Sequence, residues 1–164
     1  MSKKNLNELE QVLSRLSTSR PSKSSNKIPK AALTNREAGL WQILLGGLGK
    51  SGRRIETTRL ESWAIPGVPA VLVCSEAGRF SFWELKAHKG KGKLDLSPHQ
   101  VSWLSRHAEA PVFIIVRDAT LAISVFAGRD AVDLRMDGVA AVEPLAVFEE
   151  PYDWVKFFAL TAPV

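Results

Sequence analysis

Apolar positions recur along this chain with two different periods, and the alternation between them outlines an α/β domain. Leu40, Trp41, Leu44 and Leu45 fall at helical spacing behind Thr34 and Asn35, either of which can cap a helix. The pattern predicts a helix to about Leu45, ended by the glycine-rich stretch Gly46–Gly52. Three strands are predicted next, over Arg54–Trp63, Val68–Cys74 and Arg79–Lys86, the last two flanking a turn at Ser75–Gly78 and so forming a hairpin. Ser97-Pro98-His99-Gln100 has Ser at the N-cap, Pro at the first helical position and Gln at the third, which predicts a helix to roughly Ala108. Val112–Val116 is continuously apolar, as a buried central strand would be, and Leu121–Phe126 is a second such run. Tyr152–Leu160 reads as a C-terminal helix. The order helix, three strands, helix, strand (αβββαβ) predicts a mixed β-sheet flanked by helices, covered on both faces.

Upstream, Leu6, Leu9, Val12, Leu13 and Leu16 predict a short amphipathic helix over Asn5–Leu16. It is too short to persist alone and needs a partner surface. Ser17–Lys30 is rich in Ser, Lys and Pro and reads as a flexible basic linker. The expected organisation is therefore an appendage over 1–30 and a single domain over 31–164.

Charge sharpens this picture. The chain of 164 residues carries a net charge of +5. Met1–Arg59 holds 12 Lys and Arg against 4 Asp and Glu, so the rest is net acidic. A basic third on an acidic body points to a polyanion partner held by one part of the molecule. No apolar run approaches the ~18 residues needed to cross a bilayer, and the N-terminus has no apolar signal segment, so a cytoplasmic setting and no membrane partner are expected. Cys74 is the single cysteine, which excludes an internal disulfide and a cysteine-rich zinc module.

The chemistry concentrates on the predicted hairpin. A turn centred on Ala77 places positions 70 and 84 opposite each other, with Cβ atoms ~4.5–5.5 Å apart. Two carboxylates at such positions can share one divalent metal. Lys86 points to the same face as Glu84, because side chains alternate along a strand, and the backbone carbonyl of Leu85 can add an oxygen. Hard oxygen ligands favour Mg²⁺, with Mn²⁺ expected to substitute. Such a metal polarises a phosphate and generates hydroxide while an ammonium steadies the transition state, which suits phosphodiester hydrolysis. A bare Glu-x-Lys is usually an exposed ion pair. Its place on a hairpin, after Gly67-Val68-Pro69 and before a basic loop, argues otherwise.

These blocks resemble a known family. Gly67-Val68-Pro69-Ala70-Val71-Leu72-Val73, the glycine turn, Phe82-Trp83-Glu84-Leu85-Lys86, and Leu94 through Ser97-Pro98-His99-Gln100 to Trp103-Leu104 occur in the order found in the VRR-NUC branch of the PD-(D/E)XK nucleases. That branch is related to Holliday-junction resolvases and is frequent in phages. The resemblance covers roughly Asn35–Arg117. It implies a restriction-endonuclease-like core and a Mg²⁺-dependent endonuclease acting on branched or duplex DNA, as a homodimer. It further implies metal ligation by position 70, Glu84 and the Leu85 carbonyl, with Lys86 as the catalytic lysine and Gln100 supporting the site. Glu37 matches the family's upstream acidic residue, with Glu61 as the alternative. The family has aspartate where this chain has Ala70, which offers no lone pairs, so the chain with alanine is expected to be inactive. The otherwise complete site favours a deliberate Asp substitution over a natural inactive homologue.

Remaining candidates concern DNA. Lys89, Lys91 and Lys93, interleaved with Gly90 and Gly92, form a basic loop whose spacing is not that of a P-loop. Its lysines are expected to contact phosphates, with Arg53, Arg54 and Arg59 extending the same surface and His99 touching a phosphate from the helix. His88, His99 and His107 match no zinc spacing. Trp41, Trp63, Trp83, Trp103 and Trp154 are expected mainly in the core. The alternatives to a structure-selective nuclease are a homing or restriction-type enzyme of the same fold, a non-catalytic DNA-binding protein, and a scaffold that binds protein through its N-terminal helix.

Overall fold

A computed structural model describes residues 37–60, 65–90 and 92–164. The expected N-terminal helix and linker, together with Glu61, Trp63 and Lys91, lie outside the described residues. The elements are α1 (Glu37–Ser51), β1 (Glu56–Arg59), β2 (Val71–Cys74), β3 (Phe80–Ala87), α2 (Pro98–Arg106), β4 (Val112–Arg117), β5 (Ile123–Ala127), α3 (Ala131–Met136), β6 (Ala146–Phe148) and α4 (Trp154–Thr161). One six-stranded sheet runs in the order β1-β2-β3-β4-β5-β6. Only β3 and β4 are parallel, and α2 supplies the crossover between them. The fold is α/β, a mixed sheet flanked by helices, with the αβββαβ order the sequence predicts.

Period-two alternation sorts the strand residues onto two cores. Trp83, Leu85, Ile115, Val125, Leu40, Leu44, Phe157 and Phe158 form one, on the α1 and α4 side. Ile114, Val116, Phe126, Leu104 and Leu134 form the other, on the α2 and α3 side. β4 contributes to both, which is why its sequence is an unbroken apolar run. The C-terminal helix is tied to β3 at its end, where the Thr161 carbonyl accepts from Ser81 Oγ at 2.7 Å and from Trp83 Nε1 at 3.1 Å.

Several boundaries differ from expectation. α1 continues through Gly46, Gly47 and Gly49 to Ser51 instead of stopping at Leu45. The reason is tertiary: a Cβ on Gly47 would lie 2.4 Å from the Trp154 ring, so that glycine is where α4 rests on α1. Leu45, expected on the buried side, is exposed. β1 is four residues long, and β2 begins at Val71 because Gly67 at φ +91° and Pro69, which lacks an N–H, cannot join the ladder. β5 begins at Ile123, since Leu121 turns at φ +73°. Neither α3 nor β6 has a counterpart among the elements the apolar pattern predicts.

Arg53 also requires a correction. Its Nη1 donates to the Phe158 carbonyl at 2.6 Å, Nη2 to the Ala162 carbonyl at 2.9 Å, and Nε to Glu76 at 3.0 Å. The guanidinium thus binds the C-terminal end of α4, giving the Phe158 carbonyl a second donor besides the Ala162 amide. Glu76, which also accepts from the Arg54 amide, lies in the β2–β3 turn, six positions from Ala70. At ~3.3 Å per residue that is about 20 Å from the far end of the hairpin. The Arg53 guanidinium is therefore committed to the turn end of the hairpin rather than to the Lys89–Lys93 surface. The expected result for Arg53→Met is a loss of about 2–3 kcal/mol in denaturant unfolding with unchanged DNA affinity. A drop in affinity without a loss of stability would instead make Arg53 a DNA contact.

Candidate functional site

The far end of the β2–β3 hairpin brings the chemically distinctive residues together. Val71 pairs with Trp83, Leu72 with Phe82 and Cys74 with Phe80, and just before this ladder the Ala70 amide donates to the Glu84 carboxylate. Ala70 is half-buried against the α1-side core, and its carbonyl accepts from the Leu60 amide at 2.8 Å. Glu84 is buried, at 3% exposure. Gln100 Nε2 donates to Glu84 Oε1 at 2.6 Å, and Lys86 Nζ stands 3.3 Å from that same oxygen. Lys86 Nζ is also 3.3 Å from Glu37 Oε1 in the first turn of α1. One ammonium thus joins two carboxylates from different elements.

Burial raises the Glu84 pKa and the Glu37 charge adds to the rise, while Lys86 and the Ala70 amide oppose it. The net direction is upward, so the folded state binds the Glu84 proton more tightly than the unfolded chain does. Its contribution is fully present below the ordinary glutamate pKa and is lost as pH rises through the raised value. Glu84→Gln, which keeps an acceptor for Gln100, should remove this slope. Thermal melts at pH 5 and pH 7.5 are then expected to differ less in the variant than in the parent, and equal pH dependence in both would contradict the assignment.

Gln100 is held by the start of its own helix. Ser97 Oγ accepts from the Gln100 amide at 3.2 Å, and Gln100 Oε1 accepts from the Ser97 amide at 2.9 Å. That reciprocal cap fixes the side chain with its NH₂ toward Glu84. The Gly67 turn fits directly against the same helical turn: a Cβ there would sit 2.2 Å from the His99 carbonyl oxygen. The glycine turn, the hairpin end and the α2 N-terminus are in this way locked together.

Of the proposed DNA contacts, Lys89 and Lys93 are exposed on the segment leaving β3, and His99 is exposed beside Gln100. The loop's far end is anchored, since the Gly92 carbonyl accepts from the Val139 amide at 3.1 Å and the Leu94 amide donates to the Leu134 carbonyl at 2.9 Å. His107 is tied to its own helix, stacked on Trp103 with ring centroids 3.9 Å apart. Arg59 stands at the site end of β1, opposite Val71, with its guanidinium carbon 5.8 Å from the centre of the Trp41 ring. Sequence reasoning places Trp41 in the core and gives Arg59 no partner. The pairing joins α1 to an edge strand, and neither local spacing nor composition signals it.

Among the described residues no group of three or more His, Cys, Asp or Glu could hold a metal ion. The two carboxylates of the site, Glu84 and Glu37, already share the Lys86 ammonium. Ala70 adds nothing. With no carboxylate at position 70, and an ammonium seated between the two that remain, the residues present do not fit Mg²⁺.

Among the described residues no helix is long and apolar enough to cross a membrane. No protein-family model matches the chain, and no curated protein sequence matches it. Among solved structures it is similar to Hjc of Archaeoglobus fulgidus, a Holliday junction resolvase from an archaeal hyperthermophile. The two are 20% identical, with 56% of this chain and 77% of that chain covered and a TM-score of 0.42.

Proposed function

We propose that this chain is a DNA-binding protein built on the core of a metal-dependent PD-(D/E)XK endonuclease of the VRR-NUC type, with cleavage silenced by alanine at position 70. The observation that supports this reading is that Lys86 and Gln100 converge on one oxygen of the buried Glu84, whose carboxylate also accepts from the Ala70 amide. In the proposed active form, aspartate at position 70 gives Mg²⁺ or Mn²⁺ a second strand carboxylate beside Glu84, with the Leu85 carbonyl as a further ligand. Gln100 orients Glu84, Lys86 neutralises it, and Glu37 holds Lys86 from the opposite side. Lys89, Lys91, Lys93 and His99 are proposed to hold phosphates next to this pocket. The proposed substrate is branched DNA, cut by a homodimer that addresses two opposed strands.

The test is cleavage of four-way junction, flap, nicked and linear duplex DNA by Ala70→Asp, with and without Mg²⁺. Mg²⁺-dependent cleavage by the variant and none by the parent is expected. Preference for a branched substrate supports structure selectivity, whereas cutting of linear duplex at one sequence supports a restriction-type enzyme of the same fold. A variant that cuts none of these DNAs contradicts the proposal.

A further inference from the structure

We propose that the Lys86 ammonium is the resident cation of this pocket and excludes divalent metal from it in the chain as it stands. The inference rests on the functional reading above, and it specifies what has happened to the site rather than what the site once did. Its basis is geometric. Lys86 Nζ lies at the same 3.3 Å from a Glu84 oxygen and a Glu37 oxygen. The lysine side chain is 12% exposed and that of Glu84 4%, so water screens that contact little, whereas the Glu37 side chain is 47% exposed and its contact is screened more.

The consequence follows from net charge. Two carboxylates and one ammonium leave the trio at −1 when both acids are ionised. An entering divalent cation must either displace the ammonium or sit beside it, with only a single net negative charge to offset the repulsion between them. Restoring aspartate at position 70 would make a group of four at −2, enough to draw in a metal and release Lys86 toward a substrate phosphate. Without that carboxylate the lysine remains where it is. The pocket then offers a DNA phosphate a net negative charge, and attraction falls to the basic loop beyond β3. DNA binding by this chain should therefore be the same in EDTA and in Mg²⁺, apart from ionic strength.

The experiment measures Mn²⁺ binding, by the loss of the free-ion electron paramagnetic resonance signal, to the parent, Lys86→Met and Lys86→Met/Glu84→Gln. Removing the ammonium should tighten Mn²⁺ binding at least about tenfold, since unit charges a few ångströms apart interact strongly near a protein surface. Adding Glu84→Gln should abolish the gain. Lys86→Gln serves if Lys86→Met does not fold, and the parent itself should bind Mn²⁺ no better than Glu84→Gln does. Equal affinity in the parent and the Lys86 variants, or a gain that survives Glu84→Gln, overturns the proposal. No cleavage enters this measurement. An Ala70→Asp protein inactive on every DNA would count against the nuclease reading, while the Mn²⁺ affinities decide the role of Lys86 independently.

Discussion

Ala70→Asp is expected to raise Mg²⁺-dependent DNA cleavage at least about a thousandfold over the parent, as befits a step in which a metal supplies several kcal/mol. Position 70 immediately precedes Val71, which pairs with Trp83, and the Ala70 amide already donates to the Glu84 carboxylate, so a carboxylate introduced there is expected to share a cation with Glu84. The new carboxylate has a cost in the absence of metal. It stands within ~5 Å of a buried acid whose pKa burial has already raised. Loss of about 1–2 kcal/mol is expected in EDTA, recovered on adding Mg²⁺ because binding to the folded state alone stabilises it. Thermal melts of parent and variant, with and without Mg²⁺, check this. Stabilisation of the parent by Mg²⁺ to the same extent as the variant would contradict it.

Gly67→Ala should produce the largest loss of stability of any single methyl addition at this site, at least about 3 kcal/mol. Two separate costs combine. The backbone at φ +91° lies in the left-handed region, at ~1–2 kcal/mol for an L-residue. The added Cβ would also fall 2.2 Å from the His99 carbonyl oxygen and 2.4 Å from its carbon, and neither backbone atom can swing aside. For a chain of this size the shift in Tm is roughly 6–12 °C. Gly78→Ala separates the two effects, because Gly78 has φ +72° and nothing within 4 Å of its built Cβ. That variant should show only the conformational part. Similar losses in both would mean that the Gly67 turn does not press on α2.

How much of this is legible in the sequence depends on the range of the interaction. The hairpin register can be read because a short polar turn and period-two alternation fix it within a few residues. The Ser97–Gln100 cap can be read for the same reason, and it happens to determine where Gln100 can reach. The continuation of α1 through its glycines cannot. Glycine disfavours helix by roughly 1 kcal/mol relative to alanine, and only the distant Trp154 ring, which needs the space, explains Gly47. Arg53 reads in sequence as one more surface cation. Its acceptors, the Phe158 and Ala162 carbonyls, become its neighbours only once the sheet has brought α4 home. β6 is three residues long and exists because β5 offers it an edge. In the site, the link from Lys86 to Glu37 has the same non-local character: no spacing in the sequence sets a helix glutamate beside a strand lysine.

Everything functional here turns on whether position 70 shares a cation pocket with Glu84. Anomalous diffraction from crystals of Ala70→Asp grown with Mn²⁺ tests that most directly. A metal peak bound jointly by the introduced carboxylate and Glu84, with Lys86 drawn away from it, is the expected result. A Mn²⁺-saturated crystal with no peak between those two side chains would mean that position 70 and Glu84 share no cation pocket.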